Sequence, residues 1–267
     1  MRILTALSHF LTLLTVFAIE ERKNHDYDSK TIQCPSNPGV SITYKRVLCS
    51  KLYQDRCLRT NMFQTTVCET TPGVNPAAGY IRIPSSRFPF FNTSDPFTLS
   101  TFFWYFPARE NPEKAPLVVY LAGGPGVAST YAAGIESGPC IVQPDNNSTI
   151  LNPFSFNNKA NVLYIDQPNF AGFSYDEVTD GLYDVLTGNI TPGKEGNTTH
   201  WPGKFGSQNP ARGVTTTWNA ARVAWEVLQA FTADFPVKGL KDKELSFWGN
   251  SVSHKTQESI SYRLTVI

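Results

Sequence analysis

Two short runs in this chain are apolar on both faces, and they constrain the fold more than any other feature. Pro116-Leu117-Val118-Val119-Tyr120-Leu121 is soon followed by Gly123-Gly124-Pro125-Gly126, and Asn161-Val162-Leu163-Tyr164-Ile165-Asp166 is stopped by Pro168. A strand wet on one side alternates apolar and polar residues. A run without that alternation fits a strand covered on both faces, as in the middle of a parallel sheet. Glu244 to Trp248 reads as another buried strand. Earlier, Gly79 to Ile83 alternates, and Phe97 to Phe106 is rich in β-branched and aromatic residues, so both read as strands. Trp218, Ala221, Trp225, Leu228, Phe231 and Phe235 recur at three- and four-residue intervals. This predicts a helix with one apolar face, capped among Thr215 to Thr217 and ended by Pro236. Strands alternating with helix predict an α/β sheet. Residues 176–213, rich in Gly, Asn, Thr and Pro, read as a long surface excursion.

The N-terminus predicts an address. Arg2 precedes a mostly apolar stretch from Ile3 to Phe17, then Val16-Phe17-Ala18 offers small-residue cleavage, and Glu20-Glu21-Arg22-Lys23 follows. The pattern is that of a signal peptide (residues 1–18), too short to favour a stable membrane span, with a retained signal anchor as the alternative. After its removal no membrane association is expected, and the expected destination is the extracellular space or the vacuole. Residues 19–75 are polar and hold Cys34, Cys49, Cys57 and Cys68; Cys140 lies apart. Such density suits disulfides in an oxidising compartment, the spacing suits no zinc site, and the odd total leaves one thiol over. We read 19–75 as a Cys-rich extension and 76–267 as the α/β domain. Glycosylation sequons start at Asn92, Asn146, Asn147, Asn189 and Asn197, so N-linked glycans are expected. A net charge of +1 gives no reason to expect a nucleic-acid partner.

The chemistry-bearing feature is the last strand running into Gly249-Asn250-Ser251, with Ser253 two residues on. In α/β-hydrolases a serine on a sharp strand-to-helix turn exposes its hydroxyl at the carboxyl edge of the sheet, and small residues two before and two after let the backbone pass. The same sequence also fits a serine in an ordinary turn. Gly123-Gly124-Pro125-Gly126 can supply a backbone N–H for a developing oxyanion, or can be a tight loop without a ligand.

Taken together, Leu121-Ala122-Gly123-Gly124-Pro125-Gly126, Glu136-Ser137-Gly138-Pro139-Cys140, Asn161 to Pro168, Gly172-Phe173-Ser174-Tyr175 and Trp248-Gly249-Asn250-Ser251 resemble, in order and spacing, the serine carboxypeptidases, especially secreted fungal ones. The resemblance implies an α/β-hydrolase fold without metal or organic cofactor, acting on peptides or proteins with a free C-terminus through an acyl-enzyme. It implies Ser251 as nucleophile, and the N–H groups of Gly124 and Val252 as the oxyanion hole. It implies Tyr120, Gly123, Glu136 and Asn250 around the substrate's terminal carboxylate. The chain departs from the family pattern at Ala122, where asparagine is usual, at Asn250, where glutamate is usual, and at Tyr120, where tryptophan is usual. Alanine has no donor to offer a carboxylate, so recognition of a free C-terminus is weakened more than acyl transfer is. Asn169, Phe170 and Ala171 also alter the loop after Pro168.

A serine nucleophile needs a base and an orienting acid, which in this fold follow it as Asp or Glu and then His. Only 16 residues follow Ser251, and His254 is too near in sequence to serve. His25 and His200 sit in polar surroundings and read as surface residues. The expectation is therefore an incomplete domain: the front of the mostly parallel sheet, with an exposed edge at its last strand, inactive by itself. The residues after Ser251 depart from the family pattern, as an intron read in frame from Val252-Ser253 would. Two alternatives stay open: an acyltransferase on the same fold, and a non-catalytic secreted binding protein.

Overall fold

In the computed structural model, the described residues are 29–46, 68–92, 94–124, 126–145, 147–237, 240 and 244–251. The predicted signal peptide, Cys49, Cys57, Asn146, Val252, His25 and His254 lie outside them. The strands are β1 (Ser29–Gln33), β2 (Ser41–Arg46), β3 (Ala77–Pro84), β4 (Thr98–Phe106), β5 (Leu117–Leu121), β6 (Cys140–Val142), β7 (Thr149–Leu151), β8 (Asn161–Ile165), β9 (Val178–Asp184), β10 (Ile190–Pro192) and β11 (His200–Gly206). Helix α1 (Thr217–Asp234) and strand β12 (Leu245–Gly249) complete the order.

Seven strands form one sheet in the order β1-β2-β3-β4-β8-β5-β12. Parallel pairing is confined to β8–β5–β12; the pairings on the β1 side, through β4–β8, are antiparallel. The burial that each strand's pattern predicts is largely met. Every residue of β8 is buried, and β3 alternates buried with half-buried. The prediction of burial fails in part for β12, which borders the described sheet and leaves Trp248 51% exposed.

The start of β8 is fixed by Asn161. Its buried amide donates to the Pro112 and Ala115 carbonyls and accepts from Tyr105 Oη and the Ala108 N–H. An amide buried with both ends partnered fixes register at little cost.

Helix α1 starts at Thr216, whose hydroxyl accepts the Asn219 N–H, and ends before Pro236. Its Ala224, Trp225, Leu228 and Phe231 join Phe103, Tyr105 and Ile81 in the main core, and Phe231 stacks on Phe235 with ring centres 4.6 Å apart. Trp218 does not follow the predicted face; it is half exposed. The opposite face of the sheet carries a second cluster, with Tyr120, Val162 and Tyr164 against Ala132 and Ala133. There Cys68 is bridged to Cys140. Cys34 is a buried thiol; burial, then the neighbouring Asp234 carboxylate, pushes it up to about 12.

Within residues 19–75, β1 and β2 add antiparallel strands to the same sheet, with β2 paired to β3. The described part of this segment is thus continuous with the α/β sheet. The excursion at 176–213 contains a small antiparallel sheet in the order β10-β9-β11. Arg212 fastens its base through ion pairs to Asp176, Glu177 and Asp95. Asn92, Asn147, Asn189 and Asn197 are exposed. Among the described residues no helix is long and apolar enough to cross a membrane, and no group of His, Cys, Asp and Glu could hold a metal ion.

Candidate active site

The carboxyl ends of β5 and β12 lie side by side because the two strands run parallel with Gly249 opposite Leu121. The pairing continues one step past β12, where the Asn250 N–H donates to the Leu121 carbonyl at 3.1 Å. The next residue, Ser251, is exposed and has φ +57°. Few residues other than glycine adopt this left-handed conformation. A serine in this strained conformation at the end of a strand is where α/β-hydrolases place their attacking hydroxyl.

On the neighbouring strand, the chain leaves β5 through Ala122 and Gly123 into the glycine turn. Gly124 has φ +120°, and a Cβ there would come within 2.9 Å of Val127 Cγ2. Backbone conformation and space therefore both demand glycine. The turn is closed by Val127 N–H donating to the Gly123 carbonyl, and Ser129 Oγ accepts the Ala122 N–H at 3.0 Å.

The 3-10 segment Ser129–Gly134 follows, and Asp166 ties it to the end of β8. The Asp166 carboxylate accepts from Thr130 N–H and Oγ1 and from Phe173 N–H, all between 3.0 and 3.1 Å. Burial pushes this carboxyl up to about 6 despite those donors. Gly172, at φ +54°, lies so close that a Cβ would reach within 2.2 Å of Asp166 Oδ2. The Ser174 hydroxyl completes the clasp by donating to the Asp166 carbonyl and accepting the Phe102 N–H. The Gln167–Pro168 bond within this loop is cis.

Beside the turn, Tyr120 Oη donates to Glu136 Oε2 at 2.6 Å, and Asn250 Nδ2 donates to Glu136 Oε1 at 3.4 Å. Tyr120 is buried, while Glu136 and Asn250 are exposed. Burial first, then the bond to Glu136, raises the Tyr120 phenol above its usual range. The residues singled out in the sequence are therefore close neighbours: Tyr120, Glu136 and Asn250 touch, and Gly123, Gly124 and Ser251 occupy adjacent strand ends. Val252 lies outside the described residues. His200 is remote in the topology, on β11 opposite Asp184, with its Nδ1 against Thr199 Oγ1. Sequence reasoning missed the roles of Ser129 and Thr130 in bracing the turn, and no signal in the sequence singles them out.

The fold and the serine at its strand-end turn define an α/β-hydrolase. The chain belongs to the serine carboxypeptidase family: the family model of that description, peptidase S10, matches residues 69–253. Among curated relatives, Carboxypeptidase S1 homolog A of Arthroderma otae is 39% identical over 203 residues, covering 74% of this chain and 31% of that protein. The Carboxypeptidase Y homolog of Arthroderma benhamiae is 35% identical over 230 residues, covering 83% and 33%. The chain thus spans about a third of the length of the curated relatives it matches. Among solved structures, Kex1(delta)p, a prohormone-processing carboxypeptidase from Saccharomyces cerevisiae, is similar at 21% identity and TM-score 0.47, over 72% of this chain and 34% of that one.

Proposed function

We propose that the protein is a secreted serine-type carboxypeptidase in which Ser251 is the nucleophile. One observation carries the reading: Ser251, in the left-handed conformation, is set at the carboxyl end of β12 directly beside the glycine turn that leaves β5. Ser251 Oγ attacks the carbonyl of the C-terminal peptide bond, and the N–H groups of Gly124 and Val252 hold the developing oxyanion. The amine of the last residue departs with a proton, leaving an acyl-enzyme. Water then frees the shortened peptide and restores the hydroxyl. Secretion is supported by the N-terminal apolar run, the exposed sequons and the Cys68–Cys140 bridge.

Among the described residues His200, on β11, is remote from Ser251 in the topology and is not assigned as its base. A fluorophosphonate probe tests the reading on the full-length secreted product. Covalent labelling mapped to Ser251, lost in Ser251→Ala, together with release of a C-terminal residue from a blocked peptide, is the expected result. Absence of both label and release would refute it. A second reading, acyl transfer to an alcohol, is favoured by Ala122, which offers a substrate carboxylate no polar side chain and whose N–H is engaged by Ser129. Ester formation from an added alcohol, without amino-acid release, would select that reading.

A further inference from the structure

The loop after β8 contains a residue that its own backbone disfavours. Phe170 has φ +72°, a left-handed conformation that bulky side chains rarely adopt. Such a residue persists only where its surroundings hold it. Here the hold comes from outside the loop. The Phe170 ring lies against Gly206, at the end of β11, and reaches Gly213, where the chain returns from the excursion. A Cβ at Gly206 would come within 3.0 Å of Phe170 Cδ1, and one at Gly213 within 3.9 Å of Phe170 Cε2. The neighbouring Asn169, which is buried, donates its amide to the Arg212 carbonyl at 3.2 Å. The backbone opposes this placement of the ring, and the seat on the two glycines retains it.

The seat is itself fixed to the main sheet. Ser207 donates its N–H and its hydroxyl to Asp176. Arg212 adds to its three ion pairs a place over the Phe97 ring, 5.2 Å from the centre. Tyr175, where the excursion departs, is bridged to Ser100 of β4. On its other side the loop leads straight towards the chemistry. Gly172 stands two positions after Phe170, and a Cβ on it would fall 2.7 Å from Ala128 Cβ. Phe173 N–H donates to Asp166. Ala128 directly follows Val127, whose N–H closes the turn that leaves β5. A shift of the Phe170 ring therefore has a short path, through packed atoms, to the strand ends beside Ser251.

We infer that Phe170 is a positioning residue: it seats the loop after β8 on the base of the small sheet β10-β9-β11, and so sets the rate at which Ser251 is acylated. It acts through Gly172, Asp166 and Ala128 and touches no reacting atom. The inference rests on the reading of Ser251 as nucleophile.

The test uses the full-length protein and a fluorophosphonate, whose phosphorus bonds Ser251 Oγ while fluoride and the serine proton leave. The limiting labelling rate and the half-saturating probe concentration are measured separately. Phe170→Gly removes the ring and relieves the backbone. Its limiting rate is expected to fall roughly tenfold or more, since small misplacements near a reacting group are costly, while half-saturation stays within about twofold. Amide exchange is expected to quicken across 168–173 and 178–206 with β5 and β8 still protected. Gly206→Ala pushes on the ring from the opposite side, at a position whose backbone is not left-handed and accepts alanine. It is expected to slow labelling severalfold in the parent and not at all in Phe170→Gly, because the two positions are coupled through the ring. A smaller fall in Phe170→Gly, a loss carried by half-saturation alone, or a Gly206→Ala effect that is absent from the parent or survives removal of the ring would each overturn the inference and leave Ser251 standing as nucleophile. Loss of protection in β5 and β8 of Phe170→Gly would show a merely structural role and overturn it too. A parent that takes no label refutes the nucleophile itself, and the inference with it.

Discussion

Ser251 holds a conformation that L-residues reach at a cost of roughly 1–2 kcal/mol, and glycine reaches almost freely. If that strain is retained for the placement of a hydroxyl, relieving it should stabilise the fold and remove the chemistry together. Ser251→Gly is expected to raise unfolding stability by about 1 kcal/mol, whereas Ser251→Ala keeps the left-handed cost. Urea midpoints of the two variants check this, and equal midpoints would speak against strain at the position. Asp166 makes a different demand. Its carboxyl titrates near 6 when buried and near 4 in an unfolded chain. Between those values the folded state keeps a proton that the unfolded state has released. The contribution to stability is therefore full below about pH 4 and is lost as pH rises through about 6, by up to about 3 kcal/mol. The stability difference between wild type and Asp166→Asn should shrink or reverse by about that amount from pH ~4 to pH ~6.5. A difference that does not change with pH would show that Asp166 is ionised throughout.

At the scale of elements, β2 and β3 meet most tightly at Gly79, where a Cβ would fall 2.1 Å from the Thr43 carbonyl oxygen and 2.7 Å from Tyr44 Cα. Backbone atoms cannot step aside as a side chain can. Gly79→Ala should therefore loosen the β1–β2 hairpin at a cost of about 3 kcal/mol or more. Hydrogen exchange should report it as faster exchange across 29–46 with β5 and β8 still protected; unaltered exchange in the hairpin would contradict it. That hairpin was not legible in the sequence. Ser41-Ile42-Thr43-Tyr44 alternates for only four residues, and Asn37-Pro38-Gly39 was the available turn signal amid a polar, cysteine-rich segment. Strands β9 to β11 were hidden for a different reason. Gly181, Pro192, Pro202 and Gly203 are breakers by local chemistry, yet Pro202 sits on β11 at the edge of its small sheet, where a missing N–H is tolerated. By contrast β3, β4, β5, β8 and α1 were legible because burial itself writes their periodicity. At the site, the glycine turn and the strand-to-Ser251 step could be read, since tight backbone leaves only small residues. The grouping of Tyr120, Glu136 and Asn250 came only through the family resemblance, because their contacts depend on β5–β12 register, which spacing along the chain does not encode.

At the scale of the molecule, the main-core face and the turn-bearing face are braced differently. The first is apolar, built on α1. The second relies on the Cys68–Cys140 bridge and on Glu69, whose carboxylate, wholly buried, pairs with Arg109 and accepts from Asn157. Arg109 also donates to the Asn152 and Pro139 carbonyls, so the pair is a partnered network, not an isolated buried charge. The bridge spans 72 residues, and replacing both cysteines by serine should lower stability by about 2–5 kcal/mol, seen as a lower denaturant midpoint. No change in midpoint would mean that the buried network alone holds this face. The same bond has a topological consequence. It makes a covalent ring of the segment from Cys68 to Cys140, and that ring contains β3, β4, β5 and the glycine turn. A protease that nicks one of the connecting loops inside the ring linearises it without releasing a fragment. The strand ends that frame the turn stay tethered to each other after such a cut, for as long as the surroundings remain oxidising.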